Sequence, residues 1–156
     1  MLLDIEHEAT PADARTHRRY DFHLDRPCAG LRIRFEYSPK TLEDKELAAE
    51  WIRRSIERYV EPERRKLALE RADQYLPLRN LITVSVDDSR GHRGACHRQD
   101  PVQELFLSER NASFGLTKGA IPEGTCTVTL SFHAVVTERC TYRLQVWADV
   151  SEEDSP

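Results

Sequence analysis

TCTVTLSFHAVV, Thr125 to Val136, decides the fold. Cys126, Val128, Leu130, Phe132 and Ala134 fall on one side of a period-two repeat, and Thr125, Thr127, Thr129, Ser131 and His133 fall on the other. Strict alternation of apolar and polar side chains is the mark of a strand with one buried face. The next stretch, TYRLQVWADV (141–150), repeats the pattern: Tyr142, Leu144, Val146 and Ala148 form the apolar side and Trp147 lies on the other. A turn near Thr137–Glu138 would make the two a hairpin. Cys140 would then lie opposite about residue 135 and Cys126 opposite about residue 150, too far apart along the ladder to bond.

Working outward, RRYDFHLD (18–25) and LRIRFEY (31–37) alternate in the same way, with Pro27 and Gly30 marking the turn between them. LLDIEHE (2–8) reads as a short edge strand. NLITVSVDD (80–88) and ELFLS (104–108) are strand formers, and the glycine- and proline-punctuated segment 111–123 reads as loop. Between residues 41 and 73 the period changes. Leu47, Ala48, Trp51, Ile52, Ser55, Ile56 and Tyr59 recur at helical spacing. Thr41 is positioned to cap the helix, and Pro62 breaks it before a second helix to about Ala72. The expected fold is mainly β: an antiparallel, jelly-roll-like sandwich of two sheets. A helical hairpin is inserted at 41–73, one domain spans 1–150, and 151–156 is a polar tail.

The totals narrow the function. A chain of 156 residues with 39% hydrophobic and 32% charged residues is one well-charged domain. A net charge of −4 excludes a dedicated nucleic-acid binder, which needs a basic excess against phosphate. The interleaved charges of Arg53–Arg71 read as a solvated helix face. No apolar run reaches the ~20 residues of a membrane helix. MLLDIEHEAT lacks the basic start and long apolar core of a signal peptide. Cys28, Cys96, Cys126 and Cys140 form no CxxC pair and read as free thiols in a reducing compartment. A cytoplasmic protein is expected.

RGHRGACHR (90–98) holds the densest chemistry. His92, Cys96 and His97, with Asp87, Asp88 and Asp100 nearby, offer zinc-type donors. Their spacing fits no zinc module, and no metal or cofactor is expected. Cys96 beside His97 is a poor nucleophile–base pair, because neighbours in an extended segment point apart. His133, on the threonine face of its strand, has no visible partner for general-base work. The structural reading is that Gly91 and Gly94 bend the chain while Arg93 folds inward onto loop carbonyls or Asp88. The binding alternative is a sugar or small anion held by Arg90, Arg93, His97 and Arg98, together with the 111–119 loop. Trp51, Ile52 and Ile56 are the candidate interface on the inserted helix.

From Asn80 onward the chain resembles the β-sandwich domain that precedes the catalytic domain in some bacterial PHP-type metal-dependent phosphoesterases. NLITVSVDDSRGHRG, ASFGLTKGAIPEGTCTVTL and the closing YRLQV carry the resemblance. Asp88, Gly91, Arg93 and Gly94 fit the first motif, with Ser89 in place of its proline. Gly124 and Thr125 fit the second, with Cys126 in place of its tryptophan. Gly115 and Gly119 are further turn positions. The match spans residues 80–146 and is looser over 18–37. The catalytic half of that family opens with an HxH motif, which this chain lacks. The resemblance therefore implies a non-catalytic accessory module, with a PHP-type phosphoesterase domain or protein as its partner.

Overall fold

In the alternating stretches the apolar positions are the ones that face inward. The computed structural model of the chain describes residues 1–149, apart from the side chains of residues 73 and 75. The strands are β1 (Leu3–Ala9), β2 (Thr16–Leu24), β3 (Gly30–Ser38), β4 (Leu81–Asp88), β5 (Gly91–Cys96), β6 (Val102–Ser108), β7 (Gly124–Ala134) and β8 (Cys140–Asp149). They form two antiparallel four-stranded sheets, ordered β1-β8-β3-β6 and β2-β7-β4-β5. Phe35, Leu144 and Val146 of the first sheet and Val84, Leu130 and Phe132 of the second meet in one core, each no more than 1% exposed. Burying such a side chain is worth about 1.5–3 kcal/mol, so this face-to-face contact is the main stabilising term. The mainly β two-sheet sandwich expected from the sequence is what the structure shows. The expected tail at 151–156, with Val150, lies outside the described residues.

The pairing is nested. β4 pairs with β5, β3 with β6, β2 with β7 and β1 with β8, as if one long hairpin had been rolled up. Its midpoint is the β4–β5 turn at Ser89–Arg90. One expectation is corrected here. β7 and β8 are not a hairpin: β7 lies between β2 and β4, β8 between β1 and β3, and residues 135–139 carry the chain from one sheet to the other. Cys126 and Cys140 are free, as are Cys28 and Cys96.

The inserted helices α1 (Lys45–Tyr59) and α2 (Pro62–Glu70) sit between β3 and β4. Pro62 opens α2, where its missing N–H costs nothing. Asp44, not Thr41, caps α1: its Oδ1 accepts the amides of Glu46 and Leu47 at 3.0 Å. An aspartate placed there also suits the positive helix end. Thr41 instead bridges to Arg79. Ala48, Ile52 and Ile56 are buried beneath α1, whereas α2 buries none of its residues.

Asn80 fastens this end of the sandwich. It is fully buried, and its Nδ2 donates to the Pro39 carbonyl at 2.9 Å and to Thr137 Oγ1 at 2.8 Å. Its Oδ1 accepts the Val136 amide at 2.7 Å. One side chain thus ties the exit of β3, the entry of β4 and the crossing from β7 to β8. Replacing Asn80 with alanine strands those groups away from water. Asn80→Ala is expected to lower the unfolding free energy by about 2–3 kcal/mol, measured by urea titration. A loss within a few tenths of a kcal/mol would show that the crossing does not depend on it.

Candidate functional site

RGHRGACHR is not a free loop. Gly91–Cys96 is strand β5, hydrogen-bonded to β4. Its register jumps: Val86 faces Gly94, while the next residue, Asp87, faces His92. Arg93 is therefore an extra residue in the ladder, and a bulge of this kind re-aims a side chain. The guanidinium turns inward, and its side chain is only 10% exposed.

All five of its N–H donors are engaged. Nη1 meets Asp88 Oδ2 at 2.6 Å and the Ala120 carbonyl at 3.1 Å. Nη2 donates to the carbonyls of Thr117 at 2.9 Å and Gly119 at 2.8 Å, and Nε reaches Thr117 at 3.2 Å. Asp88 uses its other oxygen to accept the amides of Arg90 and Gly91 at 2.7 and 3.1 Å. Burial alone would push the Asp88 carboxyl up. The Arg93 guanidinium and those two amides outweigh it and hold the group below the usual carboxylate range.

Two glycines let the loop approach. Gly94 has φ 126° and Gly115 φ 98°. A Cβ on either would run into the facing backbone, the Gly115 carbonyl in one case and the Ala95 carbonyl in the other. Gly124 opens β7, Gly119 supplies one of the carbonyls on Arg93, and Gly91 starts β5. Asp88, Arg93 and the 117–120 loop thus build one hydrogen-bonded knot at this end of the sandwich.

The other residues singled out do not converge. Arg90 stands in the β4–β5 turn, while His97 and Arg98 follow the far end of β5, some seven residues or roughly 23 Å along an extended chain. Arg93 between them is already committed to the knot, so the four do not form one patch. His92 is exposed and contacts Asp87 at 3.0 Å. Cys96 is 1% exposed and donates to the Phe114 carbonyl at 3.5 Å. Burial pushes its thiol up, and that of Cys126 up to about 11, which disfavours the thiolate that a nucleophile needs. His97, next in the chain, is exposed on the outside. Among the described residues, no group of three or more His, Cys, Asp or Glu side chains is arranged to hold a metal ion. His133 Nε2 lies 2.7 Å from Thr83 Oγ1.

An open apolar concavity lies at the opposite end. Trp51, Tyr59, Leu78 and Val136 wall a groove of about 360 Å3 whose floor is Ile52 and Ile56, both 5% exposed. Tyr59 is 57% exposed, and Trp51 Nε1 is buried with no acceptor among the described residues. Of the interface expected from sequence, Trp51 lines the wall and the two isoleucines form the base. Tyr59 belongs to the same helical stripe and stands out into solvent.

No family model matches the chain, and no curated protein matches it. Among solved structures, a crystal structure of a protein from Sulfurospirillum deleyianum is similar at 9% identity. The likeness covers 94% of this chain and 98% of that one, with a TM-score of 0.34. A likeness at that level carries nothing further for this chain.

Lysine offers three donors on a flexible stem, so Arg93→Lys cannot satisfy the same five positions. It is expected to cost about 1–3 kcal/mol in chemical denaturation, the range for leaving a buried acceptor without its donor. Because the Asp88 carboxyl is depressed in the folded state, its contribution is complete above the unfolded value near 4 and is lost as pH falls through the folded one. Asp88→Asn should therefore flatten the loss of stability on acidification below about pH 4. An acid profile identical to that of the parent chain would refute the assignment.

Proposed function

We propose that the chain is a non-catalytic interaction module, a jelly-roll-like accessory unit of a PHP-type metal-dependent hydrolase system. Its docking surface is the groove along α1. The observation that carries this reading is the groove itself: an apolar concavity with an exposed tyrosine, on helices inserted into a sandwich whose own core is complete. Exposed apolar concavities edged by charge are where partners bind, and Tyr and Trp are the side chains most often dominant there. The sequence resemblance supports the identity of the partner, and the nested strand pairing supports the jelly-roll winding. Four free thiols support a reducing, cytoplasmic setting. No described helix is long and apolar enough to cross a membrane.

A second reading is an independent binder of small anions. The knot around Arg93 does not favour it, because those donors are spent within the protein. What favours it is a separate group of arginines beside the α1 groove, taken up below.

Calorimetric titration of the purified chain with a PHP-type catalytic protein from the same organism tests the docking reading. A one-to-one complex is expected, weakened by at least about tenfold in Tyr59→Asp, since truncating a central aromatic anchor costs about 2 kcal/mol or more. Absence of association at high micromolar concentration, or indifference to Tyr59→Asp, would overturn it.

A further inference from the structure

A second concavity, of about 510 Å3, shares Trp51, Ser55, Tyr59 and Val136 with the apolar groove. Arg15 from the entry to β2, Arg54 and Arg58 from α1, and His133 from the end of β7 line it, and none of its lining residues is a carboxylate. In a chain of net charge −4 this is a local reversal of sign. A cleft with one sign of charge and low-dielectric walls concentrates ions of the opposite sign.

The arginines are held by aromatic rings. The guanidinium carbons of Arg15 and Arg58 lie 5.2 and 5.3 Å from the Tyr59 ring centroid. That of Arg54 lies 5.7 Å from the Trp51 ring, and Arg54 is also paired with Glu50 at 2.9 Å. Arg58 lies over Tyr59, and Arg15 is in addition fixed through its backbone. Arg15 has φ 65°, a left-handed conformation that a residue with a side chain adopts at a cost. Its amide donates to the Phe132 carbonyl at 2.6 Å, which extends the β2–β7 ladder and fixes the strained residue. Glycine would be unstrained here, but only a side chain brings a cation to the cleft.

We propose that this cleft binds a small organic phosphate, its anionic group between the Arg15 and Arg58 guanidiniums and its planar apolar part against Tyr59 and Trp51. Guanidinium forks match phosphate oxygens in geometry and charge. Aromatic and apolar walls suit a ring rather than a bare ion. The cleft shares Trp51 and Tyr59 with the docking groove, but the proposal does not rest on the docking reading and is tested on the isolated chain.

The chain has two tryptophans, so Trp147→Phe leaves Trp51 as the sole indole reporter. This variant is titrated with phenyl phosphate and with AMP, adenosine serving as the control without phosphate. A saturable change in Trp51 emission is expected with a dissociation constant between micromolar and low millimolar. Adenosine should bind at least about tenfold more weakly than AMP, because the charge-assisted bonds are lost. Adding Arg15→Gln and Arg58→Gln should weaken phenyl phosphate and AMP by a similar factor while leaving the thermal midpoint in place, since both side chains are on the surface. No saturable response to either phosphate overturns the proposal. So does adenosine binding as tightly as AMP, or binding unchanged in the double variant.

Discussion

The rest of the structure depends on the Arg93 guanidinium being fully satisfied inside the protein. A buried cation with an unmet donor is among the costliest features a fold can carry, and with every donor met it fixes its neighbours in place. Arg93 reaches that state only if the β4–β5 turn, the bulge beneath it and residues 117–120 close together. These segments sit at the midpoint of the nested hairpin and at the loop that leads into β7. One side chain thereby joins the most local pairing of the fold to the loop that carries the chain from β6 to β7. The core supplies most of the stabilising free energy, but apolar surface has no direction. The knot is what makes one register better than its neighbours.

The two ends of the sandwich divide the work. At the β4–β5 end, backbones meet so closely that Gly94 and Gly115 face each other with no room for a side chain. At the other end, Asn80 pins the crossing, and the inserted helix α1 buries Ala48, Ile52 and Ile56. Packing there is incomplete, and incomplete packing leaves the groove and the cleft open. Rigid sheets carrying a less constrained set of inserted elements are a usual arrangement for binding, because the scaffold positions surfaces that it does not fill.

Much of this was legible in the residues. Alternation in 18–25, 31–37 and 125–134 placed the strands and their buried faces, because a period of two has one physical cause. Pro62 marked the helix break, and Asp88 with the surrounding glycines marked an arginine able to fold inward. Strand partners were not legible. The short span from Val135 to Arg139 can close a hairpin or cross between sheets, and alternation reports a face without saying which strand lies alongside. β5 was hidden because its bulge shifts the alternation by one at Arg93 and two glycines interrupt it. The cap fell on Asp44 because Thr41 is drawn into a bridge with Arg79. The arginine cleft gives no sequence signal at all. Arg15 is far from α1 in the chain, and its left-handed backbone has no periodic signature.

Native-state hydrogen exchange under increasing denaturant tests the dependence on Arg93 most directly. The account predicts that the β4–β5 amides and those of residues 117–120 exchange only through global unfolding, with the same free energy as the central β3–β8 pair. If that hairpin and loop open at markedly lower free energy while the two sheets stay paired, the knot is an ornament on a fold held by its core alone, and the account is contradicted.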